Sequence, residues 1–222
     1  MNNSIPLVLS DTAFLGKGCH KNVYVDPEDA TKCIKIPYSF EGQHDIDREL
    51  SYRSYRDKHN QSTPIIAKYY GTVATDLGTG YVFDRICDYD GHISTTLRDY
   101  TEDLERFEKD LPEIIPLMLY LKKHLFEDTV ISMNITSENI IFQQVSPTEK
   151  HIFLLSDLGV SEFIPLVLCS RSLATAKIQR RWDKMLQRFA EHQASVPMNK
   201  LLEALKKENI HKLQQELSLS AQ

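Results

Sequence analysis

Residues 130–141, Val-Ile-Ser-Met-Asn-Ile-Thr-Ser-Glu-Asn-Ile-Ile, hold the reading that decides the fold. Upstream, Leu111, Ile114, Ile115, Met118, Leu121 and Leu125 recur at helical spacing and predict one long amphipathic helix. Downstream, two short apolar runs, Asn139–Val145 and His151–Leu155, predict a strand pair across the Ser146-Pro147-Thr148 turn. The second run leads directly to Asp157-Leu158-Gly159. A long helix, a polar loop and a hairpin ending on a carboxylate thus follow one another. The Asn139 amide oxygen and the Asp157 carboxylate are hard ligands, suited to magnesium on a triphosphate. Taken singly, each is an ordinary turn residue, and turn chemistry explains either one alone.

Toward the N-terminus the pattern changes to strands. Residues 12–16, 22–26 and 31–36 are short apolar runs, the last two separated by the Pro27-Glu28-Asp29-Ala30 turn. Residues 44–58 have helical spacing without Gly or Pro, and strands are predicted around 65–74 and 79–87. A short helix at 95–105 precedes the long one, and helices at about 171–192 and 198–218 close the chain. Ile178, Trp182, Met185 and Phe189 mark the apolar side of the first, and Leu201, Leu205 and Leu213 that of the second. The order predicts an α+β protein: a five-stranded lobe holding one helix, then a mainly helical lobe with an inserted hairpin. The boundary falls near residues 86–93.

Three features of the strand-rich part carry chemistry. Gly16 and Gly18 lie in a turn between two strands, where backbone amides can approach a phosphate closely, and Val23 could cover an adenine face. A plain hairpin turn explains two glycines equally well. Lys35 ends the apolar strand Cys33-Ile34-Lys35-Ile36, either as an edge lysine or as a cation over a phosphate. Glu49 on the following helix is its candidate partner, although alone it reads as a solvated helix residue.

Composition sets the outer bounds. With 41% apolar and 26% charged residues, the chain is ordinary for a globular protein. A net charge of -5 argues against a general nucleic-acid binder. Cys19, Cys33, Cys87 and Cys169 form no C-x-x-C pair, which favours reduced thiols over a zinc site or disulfide framework. The first residues lack the pattern of a signal peptide, and no apolar run is long enough for a membrane span, so a cytoplasmic location is expected. Residues 171–188 hold Arg171, Lys177, Arg180, Arg181, Lys184 and Arg188 against Asp183 alone, read as a solvated helix face or as a site for an anionic partner.

Glycine turn, strand lysine, helix glutamate, asparagine loop and Asp-Leu-Gly occur in one fixed order. In this the chain resembles the protein-kinase-like superfamily, whose set is a Gly-rich loop, a third-strand lysine paired with a helix glutamate, H-R-D-x-x-x-x-N and D-F-G. The phrases DPEDATKCIKI (26–36), RELSY (48–52) and YYGTVATDLGTGYVFD (69–84) are more specifically similar to the bacterial YrbL-type family, named for its place in the PhoP regulatory network. That similarity extends to about residue 190. It implies a compact two-lobed kinase-like fold spanning residues 1–222 as one domain, with an antiparallel-sheet N-lobe at about 8–88 and a mainly helical C-lobe at about 89–218. It also implies ATP and magnesium, held by Gly16, Gly18, Val23, Lys35, Glu49, Asn139 and Asp157, with Asn139 and Asp157 on the metal.

The departure from the pattern lies at Asn134. Aligned on Asn139, the H-R-D triplet is Ser132-Met133-Asn134, so an amide stands where the catalytic aspartate would accept the substrate proton. Met133 replaces the arginine, and no A-P-E element occurs in residues 160–222. The expectation is a regulatory pseudokinase that binds nucleotide and acts through a protein partner. Its alternatives are a slow or atypical phosphotransferase or nucleotidyl transferase, in which Glu138 is a conceivable substitute base, and a scaffold that binds no nucleotide. His20 and Lys21 could add positive charge over the phosphates, although Lys21 reads more readily as a solvated loop residue.

Overall fold

The computed structural model describes residues 5–155, 157–160 and 166–219. Its first part is a five-stranded antiparallel sheet in the order β1-β2-β3-β5-β4, formed by β1 (Phe14–Lys17), β2 (Lys21–Asp26), β3 (Asp29–Pro37), β4 (Tyr69–Thr75) and β5 (Gly78–Asp84). Both faces of this sheet are apolar. Tyr24, Ile34 and Ile36 pack with Leu9 on one face, while Cys33, Tyr81 and Phe83 receive Ile46 of helix α1 (Phe40–Lys58) on the other. Leu7 bridges Thr75 and covers part of the β4 edge, which would otherwise offer unpaired backbone groups.

Helix α1 begins four residues earlier than its spacing predicts. The Ser39 hydroxyl caps it by accepting the Gly42 N–H at 3.1 Å, which satisfies one of the orphan donors of the first turn. Gly42 belongs there for a second reason: a Cβ at that position would overlap the His20 carbonyl oxygen. The predicted strand at 65–74 starts only at Tyr69. Its first residues leave the sheet because Ile65 is fully buried in the larger core and its carbonyl accepts the Leu154 N–H at 2.8 Å.

The second part is mostly helical. Strand β6 (Thr95–Thr96), unforeseen in the sequence, leads into α2 (Leu97–Glu102), which is closed by a reciprocal Thr96–Asp99 capping box. Asp103 ends α2 and caps α3 (Leu104–Glu127). This long helix tolerates Pro112 and Pro116 and buries Phe107, Leu111, Ile114, Met118, Leu121 and Leu125. Strands β7 (Ile140–Ser146) and β8 (Glu149–Leu154) form the predicted hairpin and join β6 in a three-stranded sheet. Helices α4 (Leu166–Cys169), α5 (Arg171–His192) and α6 (Val196–Leu219) complete the chain. Trp182, Met185, Leu201 and Leu205 are fully buried, whereas Leu213 lies beyond the described side chains. The α+β class, the antiparallel sheet and the order of the main elements therefore match the sequence reading.

Helix α1 ties the two parts together. Tyr52 belongs to the large helical core, and its hydroxyl donates to the Thr129 carbonyl at 3.0 Å while accepting the Ile131 N–H at 2.9 Å. Arg56, buried beside it, donates to the Asp128 and Thr129 carbonyls at 3.0 and 3.2 Å. Tyr55 adds a 2.7 Å bond to the Leu168 carbonyl. The C-terminal half of α1 is thus fixed to the segment that leads into Ser132–Asn139.

Candidate functional site

Asn139 ends a single 3-10 turn, Ser137–Asn139, and Asp157 follows the end of β8. The hairpin brings them together: the Asn139 side-chain amide donates to the Asp157 carboxylate at 3.4 Å. Asp157 adopts a left-handed backbone conformation with φ +61, a strained geometry that aspartate tolerates better than most residues. The segment is knit to the asparagine loop. Met133 N–H donates to the Asp157 carbonyl at 2.6 Å, Gly159 N–H donates to Ile131 at 2.9 Å, and Ser132 bridges Leu158. The buried Ser132 hydroxyl lies 3.2 Å from the carbonyl oxygens of both Asp157 and Asn134 and accepts the Asn134 N–H at 3.3 Å. From α5, Arg188 reaches the Ile135 carbonyl, and Gln193, the residue capping that helix, donates to the Ser137 hydroxyl at 2.7 Å. Asn134, half-buried, sits in this frame.

Gly159 has φ +117, and a Cβ there would lie 3.2 Å from Arg48 Cγ on α1, so both conformation and space favour glycine. This contact brings Asp45, Arg48 and Glu49 of α1 near Asp157. Burial raises the Asp157 carboxyl above its usual range; Lys21 opposes that, Asp45 adds to it, Arg48 opposes it and Glu49 adds to it.

Lys35 crosses from β3 to this region, donating from Nζ to the Leu155 carbonyl at 3.3 Å, while its ammonium sits 4.4 Å from the Phe83 ring centre. Val23 lies directly opposite Lys35 in the β2–β3 pairing. Glu49 is buried but is not the partner predicted for Lys35. Its carboxylate takes two bonds from Arg53, at 2.7 and 3.0 Å, because residues four apart on a helix face one another. Arg53 is itself anchored to the Ala67 carbonyl at 2.8 Å and stacks on Phe83.

Lys21 corrects the reading of a solvated loop residue. It opens β2, is half-buried, and has its ammonium pushed below the usual lysine range, first by burial and then by Lys35, while Glu49, Asp45 and Asp157 pull the other way. Glu138, the conceivable substitute base, is exposed and pairs with Arg98 at 3.4 Å. The glycine turn is held by Tyr38, whose hydroxyl lies 2.8 Å from the Gly18 carbonyl and 2.5 Å from that of Cys19. A Cβ at Gly16 would meet nothing within 4 Å, and one at Gly18 would meet only the Lys21 carbonyl, at 3.6 Å. The protein's own packing therefore does not demand glycine at either position. His20 lies beside Ser39, with Nδ1 3.5 Å from its hydroxyl.

The structure thus gathers Lys35, Asn139 and Asp157 around one region, brings in Lys21, which the sequence had suggested as a solvated residue, and adds Asp45 and Arg48, which sequence reasoning left out. Arg53 was visible as the residue four beyond Glu49; nothing in the sequence marked Asp45 or Arg48. Among the described residues, no group of three or more His, Cys, Asp or Glu could hold a metal ion by itself. A cavity of about 400 Å³ lies elsewhere, at the C-terminal end of α1, lined by Tyr52, Tyr55, Ser62, Asp128, Thr129 and Leu168 among others, and it contains no member of this cluster. The ionisable groups converge outside it, so the cluster is the better candidate for chemistry. No helix among the described residues is long and apolar enough to cross a membrane.

Comparison with known proteins places the chain in a family. The model of the PhoP regulatory network protein YrbL family matches residues 7–190, and the chain belongs to that family. It is 36% identical over 180 residues to the uncharacterized protein YrbL of Escherichia coli (strain K12), covering 80% of this chain and 85% of that one. The protein of the same description from Shigella flexneri matches to the same extent.

Proposed function

We propose that this chain is a kinase-like regulatory protein that binds a nucleoside triphosphate, ATP, together with magnesium between Lys35 and Asp157, and that transfers phosphate slowly or not at all. The observation that carries this reading is the meeting of Asn139 and Asp157 at 3.4 Å, with Lys35 bonded to Leu155 two residues before Asp157. The donor set fits the group. Magnesium takes one or two protein oxygens and completes its shell with phosphate and water, so a carboxylate and an amide suffice without a third protein ligand. Asn139 and Asp157 would hold the metal, which when bound neutralises phosphate charge. Lys35 and Lys21 would face the phosphates, and the turn at Gly16 and Gly18 leaves room for a close approach.

Glu49 orders Arg53 rather than Lys35, so the glutamate acts on the structure of α1 and not on the phosphates. Asn134 can orient a hydroxyl but cannot take its proton near neutrality. General-base assistance is worth about 10²–10⁴-fold, so its loss slows phosphoryl transfer without removing what charge neutralisation and positioning supply. Membership of a family described by its place in the PhoP regulatory network supports a regulatory role, hence output through a protein partner.

The test is thermal. ATP with magnesium at a hundred times its dissociation constant stabilises by about 2.7 kcal/mol, a rise on the order of 5–10 °C for a chain of this size. Lys35→Ala and Asp157→Ala should abolish that rise. Its absence in the wild-type chain at millimolar nucleotide would exclude the proposal.

A further inference from the structure

Helix α5 carries a second cluster that the nucleotide reading does not use. Lys177, Arg181 and Arg188 follow at intervals of four and seven residues, which aligns them on one face. Lys177 is only 8% exposed, and among the described residues no carboxylate or carbonyl accepts from its ammonium. The Nε–H groups of Arg181 and Arg188 are shut off from solvent without an acceptor. Arg48 arrives from α1 in the same condition: its Nε is enclosed and unpartnered, while one terminal nitrogen pairs with Asp45 at 2.9 Å.

These groups repel one another. The Lys177 ammonium is pushed below its usual range by burial, then by Arg181, Arg180 and Arg48. Burial, Arg180 and Arg188 act likewise on Arg181. Among the described residues, the acidic groups close by are engaged or face outward: Asp157, which Arg48 acts on, accepts from the Asn139 amide. Asp45 holds Arg48, and exposed Asp183 takes the Gln179 amide at 2.8 Å. A buried cation among like charges, beside enclosed N–H groups lacking acceptors, is costly unless an anion completes it.

The position of the cluster narrows the anion. One end packs on Gly159 through Arg48 and the other reaches the Ile135 carbonyl, next to Asn134, through Arg188. A flat carboxylate satisfies one guanidinium fork, whereas a tetrahedral phosphate offers several oxygens to donors converging from two helices. We propose that Arg48, Lys177 and Arg181, flanked by Arg188, form a binding site for a phosphate dianion, free or as a monoester, beside the Asn134 loop. The site adjoins the one proposed for the nucleotide through Arg48 but differs from it in Lys177 and Arg181, and it would hold a phosphorylated acceptor or effector next to it.

The experiment titrates the full chain with inorganic phosphate or with glycerol phosphate at ionic strength fixed by sodium chloride, following melting temperature and heat of binding. Saturable one-to-one binding is expected, with a rise of about 3–6 °C at ten times the dissociation constant. Lys177→Met should remove the rise yet melt no lower than wild type without phosphate, because it deletes an unpartnered buried charge. Arg181→Gln should weaken binding at least tenfold, and Lys35→Ala should leave it intact, which separates this site from the nucleotide site. Tighter binding of glycerol phosphate identifies a phosphorylated small molecule as the ligand, and tighter binding of inorganic phosphate identifies the free ion. A wild-type shift no larger than that of matched chloride, or an equal shift in Lys177→Met, overturns the proposal.

Discussion

Where Asp157–Gly159 meets Ile131–Asn134, the chain is held by backbone and hydroxyl contacts of 2.6–3.3 Å, whereas across the region Lys21, Lys35 and Glu49 are positioned by the ends of long side chains. The first arrangement does not depend on which side chain stands at position 134. The second can re-aim when one partner changes, as the pairing of Glu49 with Arg53 already illustrates. The difference teaches that, on the proposed reading, the amide at Asn134 is a chemical substitution within a frame built by backbone contacts. The cation side, by contrast, is where side-chain pairing can be rearranged.

Breaking the side-chain half should give the largest effect on stability. Glu49→Ala leaves Arg53 without its carboxylate in a mostly buried position, and the cost is about 3–5 kcal/mol by urea denaturation. Lys35→Met, which removes a 3.3 Å bond to one carbonyl, should cost only about 1 kcal/mol. Equal losses would mean that Glu49 and Lys35 act as one pair after all.

On the backbone half, Ser132→Ala deletes the hydroxyl shared by Asn134 and Asp157. It should cost about 1–2 kcal/mol and loosen amide protection at Met133 and Gly159. Protection unchanged at both amides would show that the backbone bonds suffice without the hydroxyl.

A smaller effect is expected from Asp157→Asn. Burial raises the folded-state carboxyl above its unfolded value, so the native state keeps a proton that the unfolded chain has already lost. Wild-type stability therefore falls as pH rises from the ordinary carboxylate range through the raised folded value. The amide variant lacks that loss. It should be slightly more stable than wild type near neutrality, with the advantage gone in acid below the ordinary range. A variant less stable at pH 7 than at pH 4, relative to wild type, would reverse the sign and the cause.

The smallest change is Asn134→Asp, within about 0.5 kcal/mol of wild type, because the loop is fixed around position 134 rather than by its side chain. If the frame is intact, this variant should raise any residual ATP turnover. A loss of folding would show that the loop geometry requires the amide.

Much of this was legible in the sequence because it depends on period and punctuation. The five strands, the helix between the third and fourth of them, the β7–β8 hairpin and the two last long helices announce themselves by apolar spacing and by turn residues. Asn139 and Asp157 were legible as a pair for the same reason, since a hairpin returns its two ends to one place. What could not be read depends on tertiary approach. Two-residue β6 is too short for a pattern, and α4 has none of its own. The start of α1 depends on the fit of Gly42 against His20, and the burial of Lys21 depends on elements far away in the chain. The partner of Glu49 was equally hidden, because the local i,i+4 neighbour Arg53 takes its carboxylate in place of the distant candidate Lys35.

The most direct test of the central claim is calorimetric titration of a non-hydrolysable ATP analogue into the full chain, with and without magnesium. The account predicts one saturable site whose affinity falls at least tenfold when magnesium is withdrawn and again in Asp157→Asn or Lys35→Met, while Glu49→Gln, if folded, binds nearly as wild type. Absence of binding at millimolar analogue, or equal affinity in the wild-type and Asp157→Asn chains, would contradict it.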